Sequence, residues 1–296
     1  MRIEFIVQPL PTPAAYWGMA PAEYLPLLNG AVSRDYVLPI AAIGEGTPLG
    51  LGLAKKALGS EVGEILSLFV EPRFQSRGIG TKLLELLETG LAAVGCRSAC
   101  LGYFAPGPAS EAVDRILQKR SWGTPEARMI LLEVGCEIVR RSRWMQKASV
   151  PVGYEFFRWV ELRPDEKESL EKIRETVPAA LWPFQYTAGL DEASCLGLRC
   201  GDEVIGWMIV QRRGPGQFIF SPFFIREPWR SAALNAALFA EATRRAVAHH
   251  GDSIVGLLEV QIDNAPMRRL LERKFQPYAI RRWEMRRAEK ELVTPR

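Results

Sequence analysis

The run Val70-Glu-Pro-Arg-Phe-Gln75-Ser-Arg-Gly78-Ile-Gly80-Thr81 holds the residues of this chain best suited to gripping an anion. An apolar strand at Glu64–Val70 enters a turn with two glycines and leaves as a helix starting near Gly78. Such a turn gathers free backbone N–H groups at one spot, and the helix dipole adds positive potential there. Gly78 and Gly80 carry no Cβ, so a pyrophosphate can approach the main chain closely, and Arg73 and Arg77 can add charge to it. The run is not a P-loop, which needs Gly-Lys-Ser/Thr, and it lacks the full G-x-G-x-x-G dinucleotide spacing.

The elements that must position this turn occur twice. Phe69–Leu84 (FVEPRFQSRGIGTKLL) matches Phe224–Phe239 (FIREPWRSAALNAALF) at a shift of 155 positions, which puts Phe74 on Trp229, Gly78 on Ala233 and Leu83 on Leu238. In the first half, apolar runs bounded by Gly and Pro predict strands at Ile3–Val7, Val37–Ile43, Pro48–Lys55, Glu64–Val70, Ser98–Phe104 and Arg128–Glu133. Helices are predicted at about Gly78–Val94, with Ile79, Leu83, Leu86, Leu87 and Leu91 on one face, and at Ser110–Arg120. The stretch from Val7 to about Val32 reads as helical or irregular. Its Pro9, Pro11 and Pro13 suit either a substrate-side loop or a plain surface turn. The second half predicts strands at Phe156–Leu162, Cys195–Cys200, Val204–Arg212, Gln217–Ile225, Ile254–Val260 and Ala279–Met285, with helices at Asp165–Thr176, Ser231–His249 and Ala265–Arg273.

The pattern strand-Val-Glu-Pro-x-x-Gln-x-x-Gly-x-Gly-x-x-Leu-Leu, complete here from Val70 to Leu84, resembles the acyl-CoA loop of the GNAT superfamily of N-acetyltransferases. The element order is similar to that family's over roughly residues 1–133 and again 154–286. The resemblance implies an α/β (α+β) fold of two tandem domains, each a mixed, mostly antiparallel central sheet flanked by helices. The boundaries it suggests are an acyl-CoA-binding catalytic domain at 1–135, a linker at 136–153 and a degenerate copy at 154–296. It also implies roles. Leu68, Phe69 and Val70 would form the splayed end of the fourth strand, pairing with the pantetheine arm. Gln75, Ser76, Arg77, Gly78, Ile79, Gly80 and Thr81 would hold the pyrophosphate of acetyl-CoA or a longer acyl-CoA, and no metal would be needed. Glu64 lies near where histone-acetylating members place their general base. A carboxylate in an otherwise apolar strand tends to a raised pKa, as that work requires, whereas a solvated strand-edge residue would be inert.

Two departures from the family stand out. Many members carry a tyrosine four residues before the glycine of a Gly-Phe pair, to protonate the departing thiolate. Within Ile116–Trp122 that position is Leu117. Tyr103, at the end of the fifth strand, is the substitute acid or a structural tyrosine. In the second half, Asn235 stands at a glycine position, Ile219 replaces Glu64, and Leu270 stands where the tyrosine would be. That half reads as a relic that shapes the acceptor site or mimics a dimer partner, the alternative being a weak second CoA site.

Composition narrows the classes further. At 296 residues, 48% hydrophobic and 24% charged, the chain suits two soluble domains. A net charge of +4 suits an anionic co-substrate but is too small to argue for nucleic acid. The five cysteines form no C-x-x-C pair, which predicts reduced thiols in a cytoplasmic protein, and no run of about 18 apolar residues predicts a membrane span. Arginines from Arg268 to Arg287 read as a basic patch for an acidic partner or as solvated faces. His249-His250 suits a helix C-terminus, and Trp182–Tyr186 either walls a pocket or fills the core. Two readings follow. One is an N-acyltransferase acting on a primary amine of a small molecule or peptide, as a pseudo-dimeric monomer or a homodimer. The other is a non-catalytic acyl-CoA-binding or partner-binding protein.

Overall fold

Apolar runs build the sheets: the strands Tyr36–Gly44, Thr47–Lys56 and Glu203–Gly214 are buried through their middles, covered on both faces, while Glu126–Gly135 and Gln217–Ile225 alternate in burial. In the computed structural model, which describes residues 2–30 and 35–293, the chain divides into two compact units: Met1–Arg128 with Glu284–Arg296, and Met129–Trp283. The expected irregular segment to about Val32 runs past Gly30 into residues outside those described.

In the first unit, β1 (Ile3–Val7), β2 (Tyr36–Gly44), β3 (Thr47–Lys56) and β4 (Val62–Val70) form an antiparallel run. The β2–β3 hairpin turns at Glu45 and Gly46, both with positive φ (50° and 77°), the geometry that matches strand twist. β5 (Ser98–Ala105) lies parallel to β4. Helix α2 (Ile79–Ala93) packs on one sheet face through the fully buried Leu83, Leu84, Leu87 and Leu91, each contributing about 2 kcal/mol. It lies so close that a Cβ on Gly63 would meet Leu91 Cδ1 at 2.5 Å. The opposite face is covered by the N-terminal segment, which runs through two short 3-10 turns into α1 (Leu25–Leu28). Tyr16, Met19 and Leu28 pack there on Ala41, Leu51 and Leu53, whereas Pro9, Pro11 and Pro13, ahead of these residues, are exposed. Helix α3 (Pro108–Lys119) follows β5.

The second unit repeats the plan. It contains β6 (Glu126–Gly135, from Met129 onward), α4 (Glu137–Arg141), α5 (Arg143–Lys147), β7 (Tyr154–Arg158), α6 (Pro164–Lys172), β8 (Leu196–Cys200), β9 (Glu203–Gly214), β10 (Gln217–Ile225), α7 (Ala232–His250), β11 (Val255–Gln261) and α8 (Ala265–Lys274). Its strand order is β6-β11-β10-β9-β8-β7, with only β10 and β11 parallel. The duplication reaches single backbone contacts. A Cβ on Gly50 would strike the Phe69 carbonyl at 2.6 Å, and one on Gly206 the Phe224 carbonyl at 2.8 Å.

The compact units are not the contiguous segments 1–135 and 154–296. The final strand, β12 (Ala279–Glu291), pairs antiparallel with β5 from Glu284 to Glu291, against Ala105 to Ser98. β6, expected to close the first half, instead pairs with β11 from Met129 to Gly135. Lys290 reinforces the exchange by reaching the buried Glu88 of α2 at 2.8 Å. The stretch 136–153, expected as a linker, packs into the second unit. Ile138 and Met145 are buried, and Arg244 donates to the carbonyls of Met145 and Ala148 at 2.9 and 3.2 Å. The expected strand Phe156–Leu162 ends at Arg158, where Trp159–Glu161 turns as a 3-10 helix to bury Trp159.

Candidate active site

Pairing between β4 and β5 runs only from Val62–Ser98 to Ile65–Leu101. Beyond it β4 stays bonded to β3 as far as Val70–Gly50, while β5 stays bonded to β12. A bulge at Leu66 marks the parting, since Leu53 pairs with Ser67 but Ala54 with Ile65. From Leu66 to Val70, one edge of β4 therefore faces an opening in the sheet. Leu68 and Val70 turn toward α2, and Phe69 turns toward the N-terminal cover.

The opening leads to the glycine turn. Ser76 and Gly78 both adopt left-handed backbone (φ 61° and 82°), at a cost of about 1 kcal/mol for Ser76. Gly78 caps α2, and no side chain caps the helix; the first N–H of this segment to find a helical carbonyl is that of Lys82, on Gly78 at 3.0 Å. The N–H groups of Ile79, Gly80 and Thr81 are therefore left for a ligand. A Cβ on Gly78 would meet nothing within 4 Å, which marks open space beside the turn. Gly80 differs from expectation, because its Cβ position faces Ile116 Cδ1 at 3.0 Å and so serves helix packing. Gln75 differs too: its Nε2 donates to the Val70 carbonyl at 3.0 Å and staples the turn to β4. Arg73 and Arg77 both lie over the Phe74 ring, 5.3 and 5.4 Å from its centre, at the exposed rim.

Glu64 lies just before the bulge, on the face away from α2. It is about half exposed, and Lys55 Nζ sits 3.1 Å from its carboxylate. That setting is open and charged, not the apolar one expected of a carboxylate in this strand. Tyr103 points to the other face, where its hydroxyl donates to Asp114 of α3. Burial and the Asp114 carboxylate together push the phenol well above its ordinary value. A phenol so held ties β5 to α3 and is poorly disposed to give up its proton. Leu117 is fully buried in the α2 core, so no acid reaches the opening from that position. Ser121, where the family has the glycine of its Gly-Phe pair, takes left-handed backbone (φ 55°), and Trp122 is buried.

The second unit keeps the opening but closes both of its approaches. Pairing of β10 with β11 stops at Ile219–Leu257. At the start of α7, Ser231 accepts the N–H of Leu234 at 3.2 Å and so occupies the helix terminus left bare in α2. On the face that holds Glu64 in the first unit, the fully buried Trp207 packs with Trp159, Trp182 and Phe224. The Trp182–Tyr186 segment is thus core filling.

Sequence reasoning missed three groups near Glu64. Lys55 follows from the β3–β4 register once the bulge is known. Tyr24, half-buried in the cover segment, feels the charges of both Glu64 and Lys55. Arg287 reaches this face only through the strand exchange, which no local pattern signals. His250, expected at the helix C-terminus, ends α7 and is anchored on the buried Asp191 at 2.7 Å. Among the described residues no three His, Cys, Asp or Glu side chains group as a metal site, all five cysteines are free, and no helix is long and apolar enough to cross a membrane.

Comparison with known proteins agrees with this geometry. The sequence model of the acetyltransferase (GNAT) family matches residues 8–112. No curated protein matches the chain. Among solved structures, a tandem GNAT protein from the clavulanic acid biosynthesis pathway is 15% identical, covers 100% of both chains and has a TM-score of 0.67. A GCN5-related N-acetyltransferase from Sphaerobacter thermophilus is 18% identical, with 97% of this chain and 96% of that one covered and a TM-score of 0.58. A glucosamine N-acetyltransferase region of a fungal multi-domain β-N-acetylglucosaminidase is 14% identical, at TM-score 0.58 over 98% of this chain and 38% of that one. Residues 8–112 thus form a domain of the acetyltransferase (GNAT) family, within a chain that shares the tandem GNAT fold along its length.

Proposed function

We propose that the first unit is an acyl-CoA-dependent N-acyltransferase that moves an acetyl or longer acyl group onto a primary amine of a small molecule or peptide. One observation carries this reading: the opening between β4 and β5 ends at a helix N-terminus with no side-chain cap. The donor supplies an acyl group activated as a thioester. The N–H groups from Ser76 to Thr81, with Arg77 at the rim, bind its pyrophosphate, and the edge of β4 along Leu68, Phe69 and Val70, with the Val70 carbonyl shared with Gln75, bonds its pantetheine arm. Glu64 takes the proton of the acceptor ammonium, directly or through water, so that the nitrogen lone pair can attack. A C–N bond then forms as the C–S bond breaks; the thiolate leaves with its charge, and the surplus proton on the new amide nitrogen passes to it or to water. Its conjugate thiol has a pKa of about 8.5, so departure is feasible with little assistance. This suits a site where Leu117 is buried and Tyr103 is engaged by Asp114.

Free thiol released from acetyl-CoA over a panel of amines tests the reading. Glu64→Gln should slow turnover by about a hundredfold or more while CoA-induced thermal stabilisation stays unchanged. Gly78→Asp should abolish that stabilisation, because it sets a carboxylate into the anion cradle and a side chain at φ 82°. Tight CoA binding by Gly78→Asp would show the cradle to be misassigned. The buried Leu117 and the engaged Tyr103 also support a second reading, a CoA-binding protein without turnover. CoA stabilisation with no thiol release for any amine would select it.

A further inference from the structure

The face of the first unit that carries Glu64 has a charge pattern that a simple amine does not satisfy. Strand registers set Lys55, Glu64, Cys100 and Glu289 side by side in one row across β3, β4, β5 and β12. Arg287 stands in the next row, opposite Gly102. Each carboxylate already has a cation: Lys55 Nζ lies 3.1 Å from Glu64, and Arg287 Nε lies 2.9 Å from Glu289. All four charged groups act on the Cys100 thiol between them, whose titration burial pushes up. Gly102 is exposed, and a Cβ there would touch only Met285 Sδ, at 3.5 Å, and the Arg286 carbonyl, at 3.9 Å. The floor beside the parting of β4 and β5 is therefore bare of side chain and flanked by two cations. Tyr24 of the cover segment stands near Glu64 and Lys55.

We infer that this floor selects acceptors carrying an anionic group close to the amine, α-amino acids being the simplest class. The inference rests on the acyltransferase reading above and specifies its acceptor. An ammonium alone that draws Glu64 away leaves Lys55 with no counter-charge in a half-covered site. An acceptor with its own anion exchanges partners: its ammonium meets Glu64, its anion meets the Lys55 that Glu64 releases, and no charge is left uncompensated, while Arg287, still paired with Glu289, adds positive potential on the other side of the floor. One charge-assisted hydrogen bond made by one acceptor and denied to the other corresponds to about tenfold or more in kcat/KM. Arg287 arrives on the last strand of the chain, so the second half of the sequence supplies part of the first unit's specificity.

Matched acceptors test this: leucine with isoamylamine, phenylalanine with 2-phenylethylamine, and O-phosphoethanolamine with ethanolamine. Free thiol is followed at saturating acetyl-CoA. Wild type should favour the anionic member of a pair by about tenfold or more in kcat/KM, mainly through KM. The amino-acid and phosphate pairs tell carboxylate from phosphate as the preferred anion. Lys55→Met and Arg287→Met should each pull that ratio toward one, and Lys55→Arg should restore it. CoA-induced thermal stabilisation, measured for each variant, shows that it has folded. Turnover with equal efficiency on both members of every pair would overturn the inference and leave the acyltransferase reading intact. So would a ratio unmoved by both methionine variants. No thiol release with any acceptor would remove both.

Discussion

Removing the charge of Glu88 should loosen the first unit by releasing the strand lent to it from the far end of the chain. The Glu88 carboxylate is 7% exposed and accepts from Arg120 Nη2 at 2.7 Å, Trp122 Nε1 at 2.8 Å and Lys290 Nζ at 2.8 Å. Lys290 also donates to the Arg120 carbonyl at 2.6 Å, so one buried anion joins α2, the end of α3 and β12. Glu88→Gln keeps the volume and leaves two cations without a counter-charge. Breaking a fully buried pair costs about 3–5 kcal/mol. Arg120 and Lys290 keep 28% and 19% exposure and can turn partly to water, so a smaller loss than that, about 2–3 kcal/mol, is expected here. For a unit of this size that is a fall in Tm of about 6–10 °C. Lys290→Met alone should cost a similar amount, and the double variant little more, a coupling of about 1–2 kcal/mol. Urea unfolding with amide hydrogen exchange reads both effects, and the faster exchange should be concentrated in Ser98–Ala105. A loss under about 1 kcal/mol, or additive single variants, would refute the claim that this network fastens β12 to β5.

Three further outcomes are expected. Tyr103→Phe should leave kcat and its pH profile within about tenfold of wild type, whereas loss of a working general acid would cost about 10²–10⁴; steady-state kinetics decide. Ser231→Ala should lower the stability of the second unit by about 1 kcal/mol in denaturant melts. Burial pushes Asp191 up, but Ser194, Arg212 and His250 outweigh it and hold this carboxylate below its usual value. Its contribution is then present above the unfolded value near 3.9 and is lost as pH falls through the lower folded value. Asp191→Asn should accordingly weaken the second unit at neutral pH and flatten its stability-against-pH curve below about pH 4.

Much of this architecture could be read from apolar periodicity and turn residues, because these are local. The strands Ile3–Val7 and Gln217–Ile225 match their expected bounds, and α2 begins one residue after Gly78. The glycine turn was legible for the same reason: left-handed backbone and a bare helix terminus are written in adjacent residues. What escaped depends on partners distant in sequence. Nothing near Arg128–Glu133 or Ala279–Met285 states which neighbour each strand will take, so the exchange of β6 and β12 is settled by tertiary pairing. The surroundings of Glu64 escaped because Lys55 lies across a bulge and Arg287 is more than two hundred residues away. Gly80 was read as cofactor space, yet its neighbour Ile116 comes from another helix.

The division of β12 between the two units also has a consequence for how the protein is made. β5 has its final partner only once residues 284–291 exist, and these follow β5 by about 180 residues. At about 5–20 residues per second, β5 stays open on one side for on the order of ten seconds or more after its own synthesis. The second unit, built from Met129–Trp283, has all its strands before the first does. Folding therefore completes against the direction of synthesis. A chain stopped short of Glu284 would keep every residue of the glycine turn and still expose an unpaired strand edge beside it.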